Sequence, residues 1–302
     1  MLKIAFDPIY KHQLKIGHRF PMEKYELLPE NLLRKNICKS DNFFSPLPIE
    51  KQLLLSTHDE GYYNNLINLS LSKLDTRKIG FPLSEALIMR EHVIAQGTIQ
   101  NTRYAQQYGV SMNIAGGTHH AFRDRPGAFC MLNDQAIGSN YLIDNNLAKR
   151  VMIVDLDVHQ GDGTASILSN DMDIFTCSIH CAENYPQKKA NSDLDFPIPR
   201  GSGDEEYLST LAQCLNELDR INFVPDLILY DAAVDVHNND KLGLLKMTSD
   251  GIYQRDQVVL SHFKDRQIPI ATTIGGGYGE THKEVAQRHS IIFAAVQSVF
   301  YD

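Results

Sequence analysis

Tryptophan is absent from this 302-residue chain, and cysteine is scarce. The five cysteines, Cys38, Cys130, Cys177, Cys181 and Cys214, are odd in number and contain no C-x-x-C pair. That excludes a disulfide framework and a structural zinc knuckle, and leaves reduced thiols as the simplest account. No apolar run approaches the ~20 residues that cross a bilayer, and Met1-Leu-Lys-Ile-Ala-Phe-Asp7 turns polar too early for a secretory signal. The expectation is a soluble, intracellular, cytoplasmic protein with no membrane association. An excess of positive charge is also lacking: 29 Lys and Arg against 37 Asp and Glu give a net charge of −8. This argues against direct nucleic-acid binding and mildly favours cationic substrates. There is no G-x-S-x-G elbow for a serine nucleophile, and Cys130 has no adjacent base to activate it.

What is present is a 43% hydrophobic share, sufficient for a sizeable core, arranged as strands alternating with helices. Strands are expected at 2–6, 111–115, 151–157, 174–179, 227–233 and 268–274. Helices are expected to begin near Glu23, within 48–71, and over 84–108, 134–145, 164–169, 205–222, 249–266 and 282–300, with 181–203 as a long loop. This pattern predicts an α/β fold: one domain over 1–302 with a mostly parallel central sheet flanked by helices. No linker, internal repeat or low-complexity tract divides it.

The chain is organised around Val151-Met-Ile-Val-Asp155-Leu-Asp157-Val-His159-Gln-Gly-Asp162-Gly163. An apolar β-branched run gives way to three metal-competent side chains two residues apart, which project to one side if the extended geometry continues. Other polar residues also cluster just after strands, at 116–120, 178–180, 235 and 275–278, where ligands gather in open α/β sheets. Asp157, His159 and Asp235 are candidate metal ligands, leaving open positions for water and substrate. Zn²⁺ suits that set, and Fe²⁺, Mn²⁺ or Co²⁺ are also accepted. His119 and His120 offer two imidazoles with distinct roles, with Asp155 and Asp162 available to orient them. Tyr278, after Gly275-Gly-Gly277, can donate to a developing oxyanion. Taken singly, these residues also admit an amide-capping aspartate, a solvent-exposed histidine pair and a packing tyrosine.

Gly116-Gly-Thr-His-His-Ala121, Ala128-Phe-Cys-Met-Leu-Asn-Asp134, Asp155-Leu-Asp-Val-His-Gln-Gly-Asp-Gly163 and Gly275-Gly-Gly-Tyr278 together resemble the zinc-dependent histone deacetylase family of the arginase/deacetylase fold. The run from Asp235 to Leu245 looks most like its class IV branch and bacterial relatives. The resemblance implies Zn²⁺ on Asp157, His159 and Asp235, with His120 as general base and acid oriented by Asp162. It places His119 beside it, oriented by Asp155, and gives Tyr278 the oxyanion role. Ala128, Phe129, Tyr185 and Gly276 would line the substrate tunnel. A potassium ion would be held by backbone oxygens of Asp155, Asp157, His159 and Ile179, the Asp155 side chain and the Ser178 hydroxyl. The implied substrate is an acylated lysine of a protein or peptide, acetyl by default and longer acyl by the class IV likeness. An acetylated polyamine is the alternative, and an acyl-lysine-binding module with weak catalysis the rival from another class. The oligomeric state is left open. Ala128 replaces a glycine common in the family, and Ile79-Gly-Phe-Pro82 stands where class I members carry an acidic rim residue.

Overall fold

Eight strands make one sheet in the computed structural model, which describes residues 1–301. They are β1 (Lys3–Ala5), β2 (Phe43–Phe44), β3 (Val110–Asn113), β4 (Val151–Asp155), β5 (Ile174–Cys181), β6 (Leu194–Ile198), β7 (Leu227–Asp231) and β8 (Ile270–Thr273). The order is β2-β1-β3-β8-β7-β4-β5-β6, and every neighbouring pair is parallel. Parallel pairing needs crossovers, and the helices that supply them cover both faces of the sheet. The central strands are accordingly buried along their length, all five residues of β4 and of β7, and each breaks its apolar run only at a terminal aspartate. The result is a single α/β domain of the expected class.

The helix-forming signals behave as the sequence suggests. Ser84 caps the long helix Glu85–Tyr108 by accepting the Leu87 N–H at 3.2 Å. Gly109, at φ +84°, ends it. The C-terminal helix His282–Phe300 packs between Lys24–Arg34 and Ser249–Asp265. No helix of the described residues is long and apolar enough to cross a membrane.

The departures lie mainly at the sheet's margins. β2 and β6 are edge strands where the sequence pattern predicts no strand, β6 falling in the loop expected over 181–203. β6 carries Pro197, which cannot donate to a ladder and reads as a strand breaker, yet is tolerated at an edge. Helix Lys73–Ile79 falls beyond the helical stretch expected up to 71. β4 stops at Asp155, two residues early. There Asp155 Oδ1 accepts the Asp157 N–H at 3.0 Å and Asp157 Oδ1 accepts the His159 N–H at 2.8 Å. These local side-chain bonds compete with the ladder and turn the chain. Asp155 meets His119, while Asp157 and His159 converge with Asp235.

The chain leaves β4 toward β5 and its neighbour β7 toward β8, in opposite directions across the sheet, with β3 next beyond β8. The crevice expected where connections diverge thus opens over the carboxyl ends of these four strands.

Candidate active site

Each of those four strands delivers part of one site. The loop after β3 carries His119 and His120, and the turn after β4 carries Asp157, His159 and Asp162. Asp235 follows β7, and Gly275 to Tyr278 follow β8.

Asp157, His159 and Asp235 offer ligand atoms within 4.8 Å of one another. His159 Nδ1 lies 2.9 Å from Asp157 Oδ1 and 3.2 Å from Asp235 Oδ2. A ring nitrogen carries one hydrogen, so it cannot satisfy two carboxylates at once. Asp235 Oδ2 is buried and has no hydrogen-bond partner, while its Oδ1 accepts the Val158 N–H at 2.9 Å. Gly276 closes the group: its N–H donates to Asp157 Oδ2 at 2.9 Å. A Cβ there would stand 2.2 Å from Asp235 Oδ2 and 2.6 Å from Asp157 Oδ2. Burial and the charge of Asp157 push the Asp235 carboxyl up to about 7. Burial opposes charge on His159, yet Asp157 and Asp235 outweigh it and carry the ring up to about 10. Packed buried carboxylates of this kind are costly without a cation. Two carboxylates and one imidazole, one oxygen orphaned, fit a divalent metal ion with open positions.

The two histidines are held apart electrically although their ring centroids are 4.2 Å apart. His120 Nδ1 meets Asp162 Oδ1 at 2.7 Å, and His119 Nδ1 meets Asp155 Oδ2 at 2.7 Å. Each carboxylate accepts the Nδ1 hydrogen, which leaves Nε2 of His120 free and sets Nε2 of His119 at 3.9 Å from Asp157 Oδ1. Burial and the charge of His119 depress His120 to about 4, against the pull of Asp162. Burial also works against charge on His119, but Asp155 and Asp157 prevail and hold it well above the ordinary histidine range. Burial and His119 thus favour the neutral form of His120, with Nε2 able to accept a proton, while the carboxylates favour the charged form of His119.

These groups form the floor of a cavity of about 520 Å³. Phe129 walls it, packed against Phe20 and Phe81 with centroids at 5.2 Å from each. Phe129 has φ +64°, costly for an aromatic and retained where the wall requires it. Tyr185 stands edge-on to His120 at 4.9 Å and is 45% exposed at the opening. Ala128, Gly276 and Tyr278 also line the space. Asp155 and Ser178 are register partners on β4 and β5. The Ser178 hydroxyl is bonded to His180 Nδ1 at 3.0 Å, and Ile179 is fully buried.

Three residues of the site carried no weight in the sequence reading. Asp231 ends β7 as Asp155 ends β4, is its register partner, and forms a second cluster with His119 and Asp155. The matching patterns Leu-Ile-Leu-Tyr-Asp231 and Val-Met-Ile-Val-Asp155 were a usable signal. Asp240 accepts the Tyr278 N–H at 2.6 Å. Asn184 braces His159 Nε2 at 3.4 Å and donates to the Leu242 carbonyl at 2.8 Å. Asp240 lies in the run from Asp235 to Leu245 that carries the class IV likeness, which marks the segment but not this role; Asn184 lies in no local pattern that marks it.

A model of the histone deacetylase domain matches residues 18–295. The chain belongs to the histone deacetylase family. This family member is 39% identical over 297 residues to an uncharacterized protein of Picosynechococcus sp., covering 98% of this chain and 99% of the relative. It is 29% identical to histone deacetylase 2 of Arabidopsis thaliana, over 89% of this chain and 71% of that one. With the acetoin utilization protein AcuC of Staphylococcus xylosus it shares 26% over 96% and 80% of the two chains. An HDAC homologue from Aquifex aeolicus has the same fold: TM-score 0.84 at 23% identity, covering 98% of this chain and 84% of that one. As a histone deacetylase-family protein, the chain is a hydrolase acting on amides.

Proposed function

We propose that this protein is a zinc-dependent amidohydrolase that removes an acetyl or longer acyl group from the ε-amine of a lysine in a protein or peptide. The observation that carries the reading is the convergence of Asp157 and Asp235, from separate strands, on His159 Nδ1, beside a neutral His120 with a free Nε2.

A divalent ion held by Asp157, His159 and Asp235, Zn²⁺ or in its place Fe²⁺, would polarise the acyl carbonyl and lower the pKa of the attacking water. His120, its Nδ1 committed to Asp162, accepts that water's proton at Nε2. The same ring, or charged His119, returns a proton to the leaving amine. Tyr278 donates a hydrogen bond to the developing oxyanion. Phe129 and Tyr185 flank the lysine stem and keep water from it. Inward, the cavity reaches Tyr25, Arg90 and Ile94, which supports acyl groups longer than acetyl. A potassium ion beside Asp155, Ser178 and Ile179 rests on the family resemblance alone.

The test is mass spectrometry of acetyl- and myristoyl-lysine peptides incubated with zinc-loaded protein. Loss of the acyl mass, abolished by chelation and restored by Zn²⁺, is expected. Intact peptides with one zinc bound per chain would leave an acyl-lysine-binding module instead.

A further inference from the structure

The chain carries a net charge of −8, yet the mouth of its cavity has the opposite sign. Apart from the floor and the buried Arg90, which is paired with Glu91, the charged groups that line it are Arg19, Arg77 and Lys78, set against Glu183 alone. All four are exposed. Lys78 is partly balanced by Asp75 at 3.3 Å, and Glu183 Oε2 accepts the Arg200 N–H at 2.9 Å. The Arg19 guanidinium lies 4.9 Å above the ring of Phe129, at the tunnel wall itself. Arg77 lies in the last turn of helix Lys73–Ile79, just before Ile79-Gly-Phe-Pro82. That segment supplies no acidic grip: Phe81 is buried against Phe20 and Phe129, and the Gly80 carbonyl is bonded to His18 Nε2 at 2.9 Å. Neither Arg19 nor Arg77 has an ion-pair partner among the described residues.

We infer that Arg19 and Arg77 select acyl-lysines flanked by acidic side chains and turn away acetylated polyamines. This rests on the amidohydrolase reading of the floor and names the substrate class for it. A guanidinium presents a planar fork that pairs with a carboxylate in two parallel bonds. A peptide whose acyl-lysine enters the tunnel leaves its neighbouring side chains at the opening, within reach of both arginines. A polyamine brings ammonium groups to the same place, and like charges repel there.

The experiment compares three probes: an acetyl-lysine peptide with Glu on either side, the same peptide with Lys in those places, and N-acetylputrescine. Binding of fluorescently labelled versions of the two peptides is read by anisotropy, and turnover of all three on the zinc-loaded protein. The Glu-flanked peptide is expected to bind and react about five- to tenfold better than the Lys-flanked one, with the gap narrowing as salt rises. Arg19→Glu and Arg77→Glu, whose side chains lie outside the core, are each expected to shrink or reverse the preference while the melting temperature holds. Equal binding of the two peptides, a preference untouched by both reversals, or faster turnover of N-acetylputrescine would overturn the assignment. Flank-selective binding without hydrolysis of any amide would instead sink the amidohydrolase reading and leave this one standing.

Discussion

The backbone of Tyr278 is gripped on either side of its Cα by residues from elsewhere in the chain: its N–H donates to Asp240 Oδ2 at 2.6 Å, and its carbonyl accepts from Arg288 at 3.2 Å. Asp240 Oδ1 meanwhile accepts the Leu242 and Gly243 N–H groups at 2.8 and 2.9 Å. One carboxylate thereby joins the loop that begins at Asp235 to the loop that ends at Tyr278. Asp240→Ala is expected to lower kcat by about 10², the scale for a reacting group displaced by ~1 Å, while KM and zinc content change little. An unchanged kcat would show that Tyr278 keeps its place without the clamp.

Tyr278 itself is buried, and desolvation followed by the charges of Asp235 and Asp157 holds its phenol well above the usual tyrosine range. It therefore keeps its hydrogen and acts as a donor. Tyr278→Phe should cut kcat by about 10²–10³, the usual consequence of deleting one oxyanion donor, with bound zinc unaltered by elemental analysis. Full turnover in the variant would remove the phenol from the mechanism.

Gly276 offers a test of the metal group that spares every ligand. Its N–H already supports Asp157, and the missing side chain is what lets the loop lie against both carboxylates. In Gly276→Ala the new methyl must displace Asp235 or Asp157. The expected result is zinc affinity weakened by at least about tenfold, within the range seen when groups supporting metal ligands are altered. Competition against a chromogenic chelator measures it, and wild-type affinity would mean that the loop can recoil without cost.

Much of this was legible in the chain because the central strands write their burial and their exits plainly. Val151 to Asp155 passes from apolar to acidic within five residues, and Gly116-Gly-Thr-His-His120 and Gly275-Gly-Gly-Tyr278 mark two more exits. The edge strands were illegible, since β2 is two residues long and β6 contains Pro197. So was the path after Asp155, where side-chain hydrogen bonds set the turn and end the period-two alternation expected to run on to His159. Asp240 and Arg288 act on Tyr278 across 38 and 10 residues of sequence through backbone atoms, which residue identity does not encode.

His58 supplies a prediction about stability, well away from the metal group. Its Nε2 accepts the Asn133 backbone N–H at 2.9 Å, and its Nδ1 donates to the Phe122 carbonyl at 3.0 Å. A backbone N–H can only donate, so Nε2 must carry a lone pair and the ring must be neutral. Burial lowers its pKa from the ordinary 6.5 to about 4. Between these values the unfolded chain binds a proton that the folded chain does not. The contribution of His58 is thus fully present above about pH 6.5, declines as pH falls, and is exhausted near pH 4. A shift of this size corresponds to about 3 kcal/mol across the window. Other histidines titrate there as well, so the informative quantity is the difference between wild type and His58→Gln in urea unfolding. That difference should shrink by most of this amount from pH 7.5 to 4.5. A gap independent of pH would mean that the folded protein accommodates the imidazolium, and that the bond from Asn133 does not hold the loop before helix Asp134–Asp144 in the way the geometry requires.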